Sequence, residues 1–195
     1  MEYLLLFYGV AGAYIVADIP GGPIPVLLLA AALVVVSLRR TKVPLLAAAA
    51  LRPALPRVLA LWAVVSLAAV AAVALLDRSH LFDLPREQPW LWLAICAGYP
   101  LLSVYPQELL YRGFLMHRYP FGGGARAAAA SAAAFGFAHL LFGNVLAVVA
   151  TLAGGWLFAR RYQRTGSLLV VSVEHALYGI TIFTVGLGRF FYHGA

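Results

Sequence analysis

Long apolar segments are the feature that most constrains the fold of this chain. Each segment is continuous and rich in Leu and Ala, without the alternation of polar and apolar residues that is typical of a half-buried strand. Unpaired backbone groups are very costly in lipid, so segments of this kind cross a membrane as helices. We therefore predict an all-α protein, a bundle of about seven transmembrane spans. The segments are residues 3–17, 24–38, 58–76, 90–119, 127–143, 145–160 and 168–187.

The composition agrees with a membrane protein. Hydrophobic residues make up 64% of the chain and charged residues 11%, whereas soluble domains carry about 25% charged residues. The 195 residues have room for one membrane-embedded domain, in which residues 1–57 form two N-terminal spans and a basic loop. We expect residues 39–57 to be this loop, with a short interfacial helix, and the polar residues 77–89 to form another loop.

The formal net charge of +7 comes from Arg and Lys residues near the ends of apolar segments. This distribution is typical of topology signals, so the lipid bilayer is the expected partner and a nucleic acid is not. It predicts a cytoplasmic N-terminus and an external C-terminus, and we expect a multi-pass protein of a prokaryotic plasma membrane. We expect the first segment to be a retained span.

The fourth apolar segment contains the polar residues Gln107, Glu108 and Arg112. A charged side chain near the bilayer centre costs about 2.5–3.5 kcal/mol, so such residues usually face the bundle interior and serve a function. Glu108 and Arg112 are four residues apart and share one helix face, where they could form a buried ion pair that only fixes packing. Pro100 and Pro106 predict a kink in this helix.

Two histidines and a second acid lie at a similar predicted depth. The helical rise places Glu108 and His175 about 16 Å, and His139 about 20 Å, from the cytoplasmic ends of their spans. Glu174 directly precedes His175. Each residue alone could be a packing residue, but together they predict a shared polar cavity. Asn144 lies at a helix end, where capping explains it.

These residue types are suited to hydrolysis. A carboxylate with a histidine can activate a water molecule, and a second histidine with a polar neighbour can stabilise an oxyanion. The same groups could bind zinc, although the single cysteine, Cys96, excludes a cysteine-cluster site. An intramembrane hydrolase is the leading interpretation. A small transporter or proton relay is an alternative, but the paired halves expected of a transporter are not visible.

Three motifs give the chain a family resemblance. The sequence QELLYRG at 107–113 resembles a motif with a Glu-Glu pair followed by Arg and usually Gly. Phe135 and His139 resemble a second motif, and His175 a third. In this order, over about residues 96–187, they resemble the CAAX protease and bacteriocin-processing family of intramembrane endopeptidases.

The resemblance implies proteolysis within the membrane, so we expect a hydrophobic or lipidated peptide substrate. Several members of the family act on prenylated CAAX tails. It also implies that the first Glu of the pair activates water together with the histidines. Some members have been described as metalloenzymes; we favour the mechanism without a metal and expect no cofactor.

Two positions depart from the family pattern. Gln107 replaces the first Glu, and an amide is not a general base near neutral pH. Gly179 stands where the family often has Asn or another polar residue. We predict that Glu174 replaces the missing carboxylate; Glu108 could instead rotate into this role, although pairing with Arg112 would make it a poor base. The alternative function is a catalytically silent relative that binds membrane peptides or partner proteins.

Overall fold

The structure, a computed structural model, describes residues 1–17, 22–38, 47–119 and 121–192. Within these ranges the chain forms eight helices and no strand, which confirms the predicted all-α bundle. Adjoining α, π and 3₁₀ stretches are treated as one helix. The helices are α1 (Glu2–Ala17), α2 (Ile24–Leu38), α3 (Ala48–Leu76), α4 (Asp83–Glu87), α5 (89–118), α6 (Gly124–Phe142), α7 (Val145–Thr165) and α8 (Leu168–Thr184).

Each predicted apolar segment lies on a helix, but two predicted loops were partly wrong. Helix α3 already begins at Ala48, so Arg52 and Arg57 lie on a helix and not in a loop. Ala residues favour a helix, and Pro53 falls in the first turn of the α-helical part, where proline is tolerated. Residues 39–46 of the predicted loop lie outside the described residues. The predicted loop at 77–89 contains the short helix α4. The number of spans stays a prediction.

Many large apolar side chains are exposed in this structure, whereas several charged side chains are buried. In the described residues, two helices, α3 and α6, are long and apolar enough to cross a membrane. Only 11% of the most apolar stretch of α3 is buried, and Leu75 and Leu76 are 84% and 86% exposed. Glu108 and Arg112, in contrast, are completely buried. Exposed apolar helices around charged interior residues are what a lipid environment favours.

The helices pack so that α5 to α8 surround the polar residues. Helix α6 packs along α7, and α8 packs against α3, α5 and α7. Asn144 begins α7, where its Oδ1 accepts a hydrogen bond of 2.8 Å from the backbone N–H of Ala147, so the predicted capping role is confirmed. Gly155 lets α7 approach α6 closely, because a Cβ there would lie 3.0 Å from Cα of Ala132.

Helix α5 has an irregular backbone next to its charged residues. Two π-helical stretches, Pro100–Val104 and Leu109–Phe114, flank a single α-helical turn that ends at Glu108. Short π-helical stretches often occur at functional sites, since they change the direction in which side chains point. The predicted kink of this helix stays a prediction.

Candidate active site

The Glu108 carboxylate links two basic side chains in the interior of the bundle. Nδ1 of His175, on α8, lies 2.7 Å from Oε1 of Glu108. Nη1 of Arg112 donates to the same oxygen at 3.2 Å, and Nε of Arg112 lies 3.2 Å from Oε2. Glu108 and Arg112 are completely buried and His175 is 6% exposed. The charge of the carboxylate is therefore stabilised by protein groups and not by solvent water. The two polar sites predicted at equal depth, Glu108 and His175, are in direct contact.

The Arg112 side chain extends this network to α6 and α7. Nη2 of Arg112 donates to the backbone carbonyl of Gly155 at 3.1 Å. The guanidinium carbon lies 4.7 Å from the ring centroid of Phe135 and 5.5 Å from that of Phe158. Cation–π contacts of this kind stabilise a buried guanidinium more strongly than exposed ones. Arg112 therefore holds α5, α6 and α7 in one arrangement around Glu108.

His139, near the end of α6, packs against the ring of Phe135. Its ring centroid is 4.5 Å from that of Phe135, which is itself 5.6 Å from the His175 ring. Nδ1 of His139 lies 2.7 Å from the carbonyl oxygen of Phe135. A carbonyl only accepts hydrogen bonds, so Nδ1 carries the proton and a neutral His139 has its lone pair on Nε2. No protein group in the described part of the chain hydrogen-bonds to that nitrogen, which leaves it available to accept a proton.

Gln107 presents one unused acceptor. Its Nε2 donates to Oγ of Ser103 at 2.7 Å, whereas its Oε1 is buried without a hydrogen-bond partner among the described residues. Buried polar atoms usually have partners, so an acceptor of this kind is suited to a water molecule or to an N–H group of a substrate. Gln107 can orient a water molecule, although it cannot deprotonate one.

Glu174 lies in a different environment from the one predicted. Both of its oxygens accept from Arg161 on α7, Oε2 from Nε and Oε1 from Nη2, each at 2.8 Å. A bidentate pair of this geometry occupies the carboxylate, so the structure favours a packing role for Glu174 over the predicted role as the replacement base. The predicted apolar segment ended at residue 160, but α7 continues to Thr165 and keeps Arg161 on the helix that faces Glu174. The alternative in which Glu108 rotates into the role of base is also not favoured, since Glu108 holds Arg112 and His175 at once.

Sequence reasoning missed Tyr99, on the first half of α5. Its hydroxyl lies 3.3 Å from Nε2 of His175, so both ring nitrogens of this histidine have partners. Phe158 stacks on the same ring, with centroids 4.7 Å apart and an interplanar angle of 20°. The one sequence signal for Tyr99 was Gly179, because a glycine in place of a polar residue leaves a space that another side chain must fill.

The donor groups of this site do not fit a divalent metal. Among the described residues, no group of three or more His, Cys, Asp or Glu side chains is placed to hold a metal ion. Glu108, the carboxylate nearest to the histidines, already faces the positive charge of Arg112, which would repel a cation. The chemistry below is therefore derived from protein groups alone.

Comparison with known families agrees with this geometry. Residues 85–181 match the model of a family described as type II CAAX prenyl endopeptidase Rce1-like. Over this segment the chain belongs to the CAAX protease family. It is thus an integral membrane protein of a protease family, and the matched segment contains all six residues predicted for the site. No curated protein and no solved structure matches the chain.

The Arg161–Glu174 pair gives a stability prediction. The Arg161 side chain is 10% exposed and that of Glu174 is fully buried, so Arg161→Gln leaves a buried carboxylate without a counter-charge. We expect a loss of about 3–5 kcal/mol, seen as a lower unfolding temperature in detergent. The double variant Arg161→Gln with Glu174→Gln should recover part of this loss, because neither charge remains. Equal losses in the single and double variants would show that the unpaired charge of Glu174 is not the cause, and no loss in Arg161→Gln would show that the pair does not stabilise the bundle.

Proposed function

We propose that this protein is an intramembrane endopeptidase that hydrolyses a peptide bond in a hydrophobic or lipidated substrate without a metal cofactor. The observation that carries the proposal is the buried cluster of Glu108, Arg112 and His175, which lies inside the segment that matches the protease family. His139 belongs to the same cluster, since it packs against Phe135. Charged residues at membrane depth are rarely retained without a function.

His139 is the general base in this proposal. Its Nε2 takes a proton from a water molecule, the resulting hydroxide attacks the carbonyl carbon of the scissile bond, and the same proton passes to the amine that leaves. Oε1 of Gln107 accepts a hydrogen bond from the attacking water and so orients it. This assignment uses the one imidazole nitrogen of the site that has no protein partner in the described residues.

The Glu108–Arg112–His175 network positions the remaining groups. It fixes the His175 ring, whose two nitrogens contact Glu108 and Tyr99. A polar network that is already in place does not have to reorganise during the reaction. Glu108 does not exchange protons in this scheme, and Glu174 supports the packing of α8 against α7.

The test is hydrolysis of a prenylated peptide by the protein in vesicles. A farnesylated peptide that ends in a CAAX sequence is incubated with the protein, and the released fragment is measured by mass spectrometry. We expect His139→Gln to lower the rate by about 10²–10⁴-fold, because general-base catalysis is lost. His117→Gln is the matched control: His117 contacts Tyr162 away from the site, and its loss should leave the rate unchanged.

Cleavage by His139→Gln at the wild-type rate would contradict the assignment of the base. Failure of the wild-type protein to cleave prenylated or unmodified hydrophobic peptides would contradict the endopeptidase proposal itself.

A catalytically silent relative is the second candidate, and specific observations favour it. Gln107 cannot act as a base, and both acids of the site region are held in ion pairs, Glu108 with Arg112 and Glu174 with Arg161. Such a protein would keep the fold and bind membrane peptides or partner proteins without cleaving them.

Restoring the acid at residue 107 separates the two candidates. For an active enzyme that uses His139, we expect Gln107→Glu to change the rate by less than about tenfold, because the base is already present. A variant that cleaves where the wild-type protein is inert would identify a silent relative. Gln163→Glu, which makes the same change on α7 away from the site, is the control and should have no effect on cleavage.

We further propose the multi-pass topology with a cytoplasmic N-terminus and an external C-terminus, in a prokaryotic plasma membrane. It is supported by the basic residues at the end of α5, the start of α6 and the end of α7, which the positive-inside rule assigns to the cytoplasm. Single cysteines added before Gly124 and after Thr184, in a variant without Cys96, should differ in labelling by a membrane-impermeant thiol reagent applied from outside. Equal labelling at both positions would overturn this topology.

A further inference from the structure

Tyr99 fills a space beside His175 and lies outside all three sequence motifs of the site. The tyrosine ring packs edge-on against the rings of His175 and Phe183, with centroid distances of 6.2 and 5.6 Å. Its hydroxyl lies 3.3 Å from Nε2 of His175. The ring is therefore held by aromatic neighbours, and its one polar atom is directed at the histidine.

Gly179 is the counterpart of Tyr99 on α8. It lies one helical turn after His175, and a Cβ at this position would come within 2.5 Å of Cζ of Tyr99 and closer still to the hydroxyl. Any side chain at 179 and the tyrosine at 99 would thus exclude each other. Glycine is unfavourable in a helix interior, and the close approach of Tyr99 is a physical reason for its presence here.

The two partners of His175 select the tautomer of its neutral ring. A neutral imidazole has one N–H donor and one acceptor nitrogen. The Glu108 carboxylate accepts at Nδ1, so in the neutral ring the proton lies there and Nε2 accepts from the Tyr99 hydroxyl. Together the two contacts fix both the tautomer and the orientation of the ring, as hydrogen bonds to a second nitrogen commonly do for histidine.

We propose that Tyr99 is a further positioning residue of this site, which holds His175 through its hydroxyl in the space that Gly179 leaves open. The inference rests on the proposed endopeptidase function for its kinetic consequences, but the contact itself can be tested without activity. It also explains the departure at residue 179: the polar group that would otherwise come from α8 comes from α5.

The first test observes His175 directly. The protein is labelled with [¹⁵N]histidine in detergent, and the His175 signals are identified among those of the five histidines by their loss in His175→Gln. We expect Nδ1 to be protonated in the wild-type protein, and we expect Tyr99→Phe to move the Nε2 signal toward that of a nitrogen without a hydrogen bond. Tyr178→Phe is the matched control, because its hydroxyl is buried without a hydrogen-bond partner among the described residues.

The second test uses cleavage and a swap of the two residues. We expect Tyr99→Phe to lower kcat by about tenfold with KM changed less than about twofold, because in this inference the hydroxyl acts through His175 and not on the substrate. Tyr99→Ala should be slower still. Tyr99→Ala with Gly179→Asn should recover part of kcat, because the new amide can enter the vacated space, whereas Tyr99→Ala with Gly179→Ala should not recover. Gly179→Asn with Tyr99 in place should lose cleavage activity, because the new asparagine side chain would overlap the tyrosine ring.

Each outcome decides the inference. An unchanged Nε2 signal in Tyr99→Phe overturns it, whether or not the protein cleaves peptides. Equal recovery by Asn and Ala at 179 also overturns it, because the space and not the polar group would then matter. If the Nε2 signal shifts but the wild-type protein cleaves nothing, the contact stands and the endopeptidase proposal fails separately.

Discussion

The shared carboxylate of Glu108 is the interaction on which the rest of this structure depends. It binds Arg112 on its own helix and His175 on α8, while Arg112 reaches the backbone of Gly155 on α7. Three helices are thereby tied to one buried acid. In a lipid environment there is no hydrophobic drive between helices, so such polar contacts and close packing determine which faces meet. Removing one partner would leave a buried charge, which is far less favourable than removing the whole network.

Aromatic and glycine residues make the space for this network. The Phe135 ring contacts the Arg112 guanidinium and both histidine rings, so it joins them in one cluster. Gly155 allows α7 to approach α6, and Gly179 admits Tyr99 to the side of His175. The site is thus formed as much by small residues that leave room as by the polar residues that occupy it.

The proposed function depends on which acid or histidine accepts the proton from water. The protease family matched by residues 85–181 supports the proposed reaction class. In the proposed mechanism the proton acceptor is His139, because Glu108 and Glu174 are both paired with arginines. The amide of Gln107 keeps a hydrogen-bond acceptor where a carboxylate would be a base. Gln107 is therefore the residue at which the two candidates differ: an enzyme that uses a histidine as its base does not need an acid there, whereas a relative that only binds peptides has lost it.

The sequence by itself determined the all-α class, the positions of the main helices, the i, i+4 pair of Glu108 and Arg112, and the similar depth of His175. Continuous apolar runs and the helical rise are local properties that can be read along the chain. The sequence did not determine which way Glu174 faces: neighbours on a helix diverge by about 100°, and Arg161 was assigned to a helix end and not to the helix. It also did not indicate on which side of its helix Tyr99 lies, because a π-helical stretch separates this residue from Glu108, nine residues later. Only the tertiary structure decided these points, since each depends on which side chains from different helices fill the same space.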